Sequence, residues 1–237
     1  MKTIFNLNFY DKDIDSLTEE LNKIIEKNGK VSIFTPNVDH IINIKQDSEL
    51  MNKYSESDYI IADGWPLVAT AKAKGIMIKR ITGVDLMDSL LNTCNNKGYS
   101  IFFLGATDET LDLLKNNIIE KYKKIDDVHC HDGYFNDDMK VINKINEVKP
   151  NIIFVGMGSP KQELWIRDNI NKLNTNILIG VGGALKIFSN EVGRAPRWVQ
   201  AIGMEWFYRF IKEPKRLFSR YFIKYPKYLK ILVKEFK

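Results

Sequence analysis

The sequence predicts a doubly wound, Rossmann-like α/β fold: a mostly parallel sheet with helices on both faces and a helical appendage at the C-terminus. Three observations carry this. Compact apolar runs of strand length end in Gly, Asp or Pro, they alternate with amphipathic windows of helix length, and the composition shifts abruptly at Arg194. With 237 residues, 44% of them hydrophobic, the chain can bury a full core, which is expected as one unit over 1–193 followed by an appendage over 194–237.

Taken in order, residues 17–26 place apolar side chains at helical spacing, and 31–34 form the first buried strand. Residues 59–62 read as the second strand and 84–95 as the next helix, followed by a strand over 100–104 that ends at Gly105. A helix over 109–122 precedes His129-Cys130-His131, read as a short strand, because neighbouring side chains on a strand point to opposite faces and suit no shared metal. Then come a helix over 139–148, a strand over 151–155, a helix over 161–172 and a strand over 177–181. In the appendage Pro214 and Pro226 divide the chain into two or three helices, since proline disfavours helix in the preceding residue but starts a new one well.

The charge is asymmetric. Residues 194–237 hold twelve Lys and Arg against three acids, net +9, whereas 1–193 hold 23 basic and 27 acidic side chains, net −4. Eleven Phe, Tyr and Trp residues lie among those cations, a pattern that suits an anionic lipid surface better than a nucleic-acid duplex. A solvated basic helix closing the fold is the alternative. No window has the roughly 18 uninterrupted apolar residues of a spanning helix, and the first residues lack a signal-peptide core, so a cytoplasmic protein peripheral to the membrane is expected. Cys94 and Cys130 are too few for a disulfide framework and are expected as reduced thiols.

In a doubly wound sheet, ligands bind at the carboxyl ends of the strands, so the residues just after each apolar run are the candidates. After the first run stand Thr35-Pro36-Asn37-Val38-Asp39-His40, where Asn37 or Asp39 can cap a helix. After the second stands Asp63-Gly64-Trp65-Pro66, where Asp63 is either a general base or a helix cap. Gly156-Met157-Gly158-Ser159-Pro160-Lys161-Gln162-Glu163 opens a helix, offering N–H groups and a cation to an anion, and Gly180-Val181-Gly182-Gly183 repeats the arrangement. Both are also tight turns, but two glycine-rich strand ends side by side suggest a diphosphate-containing nucleotide. Arg80, in Arg80-Ile81-Thr82-Gly83-Val84-Asp85, is placed to reach an anion, and Arg209, Arg216 and Arg220 share a face only if the helix runs through Pro214.

These motifs, with Gly133-Tyr134-Phe135, Arg194-Ala195-Pro196-Arg197-Trp198, Glu205-Trp206-Phe207-Tyr208-Arg209 and Glu213-Pro214, together resemble the WecG/TagA/CpsF glycosyltransferase family over nearly the whole chain. The resemblance implies a membrane-associated enzyme that moves a sugar, often N-acetylmannosamine, from a UDP donor to a polyprenyl-diphosphate-linked sugar, inverting the anomeric centre without a metal or other cofactor. By resemblance, Asp63 is the base, Thr35 and Asn37 line the site, Gln162 contacts the sugar, and Arg80, Arg209 and Arg216 face phosphates. The candidate binding set is completed by Gly105, Gly156, Gly158, Lys161, Glu163, Gly182 and Gly183. One departure stands out: Ala184-Leu185-Lys186 replaces the aromatic and aspartate with which the family usually continues, which leaves the donor open, UDP-glucose and a UDP-uronic acid included.

The residues agree with that chemistry. Displacing UDP needs a base for the acceptor hydroxyl and positive charge for the leaving diphosphate. A metal is usually held by Asp-x-Asp, and Asp11-Lys12-Asp13, which overlaps a second such triplet ending at Asp15, precedes the first expected helix, away from any expected strand end. A nicotinamide oxidoreductase is disfavoured because no GxGxxG follows the first strand. A non-catalytic membrane adaptor leaves Asp63 and the glycine turns unexplained. The oligomeric state, a homo-oligomer included, is open.

Overall fold

The computed structural model describes every residue except 126–127, 202, 213, 215–217, 219–221, 223 and 237, and leaves the side chains of 197, 201 and 209 undescribed. The eight-stranded sheet has the order β1-β2-β4-β3-β8-β7-β5-β6, where β1 is Lys2–Ile4, β2 Leu7–Phe9, β3 Val31–Phe34, β4 Tyr59–Ile60, β5 Ile101–Gly105, β6 Val128–His131, β7 Ile152–Gly156 and β8 Ile177–Gly180. Only β1 is antiparallel, to β2. All other pairs are parallel, so the carboxyl ends of β2 to β8 share one edge.

The central strands are buried on both faces, as parallel strands under two helical layers must be: β5 and β8 have no exposed position. One face is covered by α2 (Val38–Ile44), α3 (Ser48–Ser55), α4 (Trp65–Ala73), α7 (Asp138–Val148) and α8 (Lys161–Asn169). The other is covered by α1 (Ile14–Glu26), α5 (Gly83–Lys97), α6 (Asp108–Lys121) and α9 (Ala184–Phe188). Most of these helices begin at a residue suited to capping. Asp13, Asn37, Asp47, Thr82, Thr107 and Asp137 each accept a backbone N–H of the first turn.

Beyond the sheet, the described appendage contains α10 (Arg197–Ala201), α11 (Glu205–Lys212) and α12 (Tyr225–Glu235). The last of these returns to the body. Tyr228 is buried, its hydroxyl 2.9 Å from that of Thr70, and burial pushes its pKa up to about 12. The Glu235 carboxylate accepts the N–H of Phe5 at 3.1 Å and pairs with Lys74 at 2.9 Å.

Several elements differ from expectation. The hairpin β1–β2 was not anticipated, and its two-residue loop, Phe5-Asn6, has both residues at positive φ (56° and 62°). Helix α3 was also not anticipated, while α2 and α4 were foreseen only by their possible caps, without bounds. The second expected strand shortens to two residues, with Ala62 making only an isolated bridge to Arg80. The helix expected over 161–172 ends at Asn169 and continues as one 3₁₀ turn over Ile170–Lys172. The Asp11–Asp13 triplet does follow a strand end, that of β2, contrary to expectation. Asp13 caps α1 through the N–H of Ser16, and Asp11 meets the amino group of Met1 at 3.1 Å.

Candidate active site

The loops after β3 and β4 lie side by side, joined by a hydrogen bond from the Asp63 N–H to the Pro36 carbonyl at 3.0 Å. Asn37 is the N-cap of α2, its side chain accepting the Asp39 N–H at 3.0 Å while His40 Nδ1 accepts the Asn37 N–H at 3.2 Å. Asp63 does not occupy the cap of α4. That position is Gly64, whose φ of 143° suits only glycine, and Pro66 follows in the first turn. The half-buried Asp63, one residue before that cap, lines a cavity of about 380 Å³.

Asn37, Trp65, Arg80, Glu205 and Trp206 line the same cavity. Arg80 is held in its wall. Its Nη2 donates to Glu205 Oε2 at 2.8 Å, the guanidinium lies 5.7 Å from the Trp65 ring centroid, and both charged side chains are about 15% exposed (16% and 15%). Gly203 packs so closely on Trp65 that a Cβ there would meet the indole at 2.9 Å. The segment leading into α11 therefore closes over the strand ends. A second ion pair, Arg194 with Asp85, ties the start of the appendage to α5, and the Thr82 hydroxyl donates to the same carboxylate at 2.7 Å. Arg80 and Asp85 of one motif thus meet Glu205 and Arg194 of two others.

Thr35 is 6% exposed and its hydroxyl donates to the Gly180 carbonyl at 2.8 Å, which joins the ends of β3 and β8. The glycine turns have mixed roles. Gly105 and Gly156 are register partners on β5 and β7; a Cβ on Gly105 would stand 2.5 Å from the Gly156 backbone and one on Gly156 2.5 Å from the Leu185 side chain, so close packing alone requires glycine at both. Gly158 and Gly183 have open space where a Cβ would point, and Gly182 nearly so, which keeps them available to a bound group.

Lys161 is exposed, donates to the Gly133 carbonyl at 2.7 Å and lies over the Phe135 ring at 5.2 Å. Gln162 and Glu163, each 1% exposed, face inward. The Gln162 amide oxygen accepts the Gly182 N–H at 3.1 Å and its NH₂ donates to Glu163 at 2.8 Å, so Gln162 fixes the Gly182 turn from behind. Burial raises the Glu163 pKa, an effect opposed by the donors Gln162 and Ser159. His40 Nε2 stands 3.8 Å from Glu163 and the Tyr54 hydroxyl crowds the same carboxyl group. Sequence reading placed Gln162 and Glu163 among the binding residues, but in this conformation both support the site from beneath it.

The side chain of Arg209, and Arg216 and Arg220 entirely, lie outside the described residues. Lys186 is exposed on α9. His131 is 3.4 Å from Asp132 and edge-on to Phe135, and Cys94 is buried with its thiol pushed up to about 12. Trp65, Glu205 and Trp206 were missed as site residues. Their signal was present in the Glu-Trp and Asp-Gly-Trp motifs, but nothing local says that the two motifs meet.

The arrangement sets a carboxylate and a guanidinium in one cavity with aromatic walls, which suits a polar, anionic ligand with a ring to stack. Comparison with known proteins points the same way. Two N-acetylglucosaminyldiphosphoundecaprenol N-acetyl-beta-D-mannosaminyltransferases of Staphylococcus aureus, from strains MW2 and COL, are each 37% identical over 171 residues, which is 71% of this chain and 66% of each relative. The match thus spans just under two thirds of those relatives. The family model for glycosyl transferases of the WecG/TagA/CpsF type matches residues 2–237, and the chain belongs to that family.

Proposed function

We propose that the protein transfers N-acetylmannosamine from a UDP donor to N-acetylglucosamine carried on a polyprenyl diphosphate, with inversion and without a metal, at the inner face of the cell membrane during assembly of an envelope polymer such as teichoic acid. The observation that carries the reading is the meeting of Asp63 and Arg80 in one cavity at the strand ends. In this mechanism the Asp63 carboxylate takes the proton of the acceptor hydroxyl as that oxygen forms its bond to the anomeric carbon. The bond from that carbon to the donor phosphate oxygen breaks on the opposite face, and its electron pair leaves with UDP. Positive charge eases that departure. Arg80 supplies it from the cavity wall, and Arg209 and Arg216 are assigned to the same task from the appendage.

Family membership and the relatives' names support the acceptor class. Metal independence is supported by the engagement of Asp11 and Asp13 elsewhere, Asp13 as the cap of α1 and Asp11 with the Met1 amine, while Asp15 lies in the first turn of that helix. A peripheral attachment is supported by the basic, aromatic appendage and by the fact that no described helix is long and apolar enough to cross a membrane. The test is to incubate the purified chain with a short-chain diphosphate-linked N-acetylglucosamine and a panel of UDP-N-acetylmannosamine, UDP-N-acetylglucosamine, UDP-glucose and UDP-uronic acid, with and without EDTA. The expected product gains one N-acetylhexosamine mass from UDP-N-acetylmannosamine alone, at a rate that EDTA leaves unchanged. No transfer from any donor overturns the assignment, transfer from another donor overturns the sugar, and loss on chelation overturns metal independence.

A further inference from the structure

A second, apolar depression adjoins the Asp63 cavity. It is a groove of about 600 Å³ between α4 and α12, with Ala69 and Ala73 on one wall and Leu229, Leu232 and Phe236 on the other. Val38, Pro66 and Tyr225 line both spaces, so the groove opens where the cavity ends. Among the described residues no charged side chain lines it. Its walls are fixed by polar bonds at each end rather than by closing on one another: the Tyr228 and Thr70 hydroxyls at one end, and Glu235 with Lys74 and the Phe5 N–H at the other. Leu229 is 62% and Phe236 51% exposed, and Ala69 and Ala73, one turn apart on α4, leave space between the helices. Exposed apolar surface of this kind, continuous with a polar site, marks a place where part of a ligand is expected to lie.

We propose that this groove seats the isoprenoid chain of the acceptor immediately beyond its diphosphate, an inference that rests on the acceptor class assigned above. An acceptor whose sugar hydroxyl meets Asp63 must lead its diphosphate and chain out of the cavity, and the exit through Val38, Pro66 and Tyr225 is lined for hydrocarbon. The eleven residues of α12 offer a track of roughly 16 Å, enough for the first few isoprene units. Lys227, Lys230 and Lys234 on the exposed side of α12 place cations along the rim, where lipid headgroups would lie while the chain passes between protein and bilayer.

The test uses the full chain and two soluble probes, farnesyl diphosphate and methyl diphosphate, which share the head group and differ in the chain. Titration calorimetry is expected to show farnesyl diphosphate binding about 10- to 100-fold more tightly, the range for burying one or two apolar groups of leucine size. The double variant Ala69→Gln, Leu229→Gln, altered only at exposed positions, is expected to lose most of that preference. Its affinity for methyl diphosphate and for acceptor-free anionic vesicles should match wild type. Equal affinity of wild type for the two probes overturns the proposal, as does a variant that keeps the preference or loses affinity for both probes alike. Parallel loss of vesicle binding assigns the groove to membrane lipid instead, and also overturns it. Because these are binding measurements, they decide the groove even if no sugar transfer is found, and failure of transfer alone counts against the proposed reaction.

Discussion

Cutting the contact between Arg80 and Glu205 should uncouple the appendage from the body, and the size of the effect follows from its geometry. The two side chains meet at 2.8 Å and are only 16% and 15% exposed. At a charge separation near 4 Å and an effective dielectric of about 20, their attraction is worth about 4 kcal/mol before desolvation is subtracted. Desolvation of two largely buried ions removes much of that, while a fully exposed pair would retain under about 1 kcal/mol. A coupling energy of about 1–3 kcal/mol is therefore expected from a double-mutant cycle of Arg80→Ala and Glu205→Ala. Glu205→Ala alone should be the more damaging change, because it leaves a guanidinium stacked on Trp65 without its counter-charge. A cost of about 2–3 kcal/mol would lower the melting temperature by roughly 4–12 °C in a chain of this size. Urea unfolding followed by circular dichroism gives the four free energies. A coupling below about 0.3 kcal/mol would show that the appendage is not held by this pair and that the cavity wall is assembled by other contacts.

Two further substitutions probe the supports of the site. Gly105→Ala should cost about 3 kcal/mol or more, since it combines a φ of 130° with a Cβ 2.5 Å from the Gly156 backbone, whereas Gly183→Ala, which meets nothing within 4 Å, should stay within about 1 kcal/mol. Equal urea midpoints for the two variants would contradict the close approach of β5 and β7. Glu163 titrates at an ordinary value of 4.5 when unfolded, but burial raises it in the fold, so the native state holds the proton longer and stability falls as pH rises above about 4.5 toward the folded pKa. Glu163→Gln should flatten that decline in melting temperature; an unchanged slope would show that the carboxyl is not desolvated.

How far the sequence speaks depends on the range of the interaction that decides each feature. The strands β3, β5, β7 and β8 were legible because burial on both faces demands an unbroken apolar run such as Ile101-Phe102-Phe103-Leu104. The hairpin β1–β2 was not, since its strands have three residues each and its loop lacks the glycine that usually marks such a turn. Helix α2 was signalled by its cap, Asn37, but its extent was not, because four of its seven residues are buried and little polar face shows a period. At the site, Asp63 was singled out by the rule that ligands lie at the carboxyl edge, and Arg80 by its place in a loop that precedes a helix. The partnership of Arg80 with Glu205, 125 positions away, had no local trace. That Gly105 and Gly156 face each other had no local trace either, because only the strand register reveals it.

The most direct test of the central claim, that Asp63 is the base of a sugar transfer carried out in this cavity, is the turnover of Asp63→Asn measured beside its affinity for UDP. The amide preserves the shape of the side chain but cannot take the acceptor proton, so the rate should fall by about 100- to 10,000-fold while UDP binding and melting temperature stay near wild type. If the variant retains more than about a third of the wild-type rate, against the large loss expected on removing a general base, the base lies elsewhere and the assignment of this cavity fails.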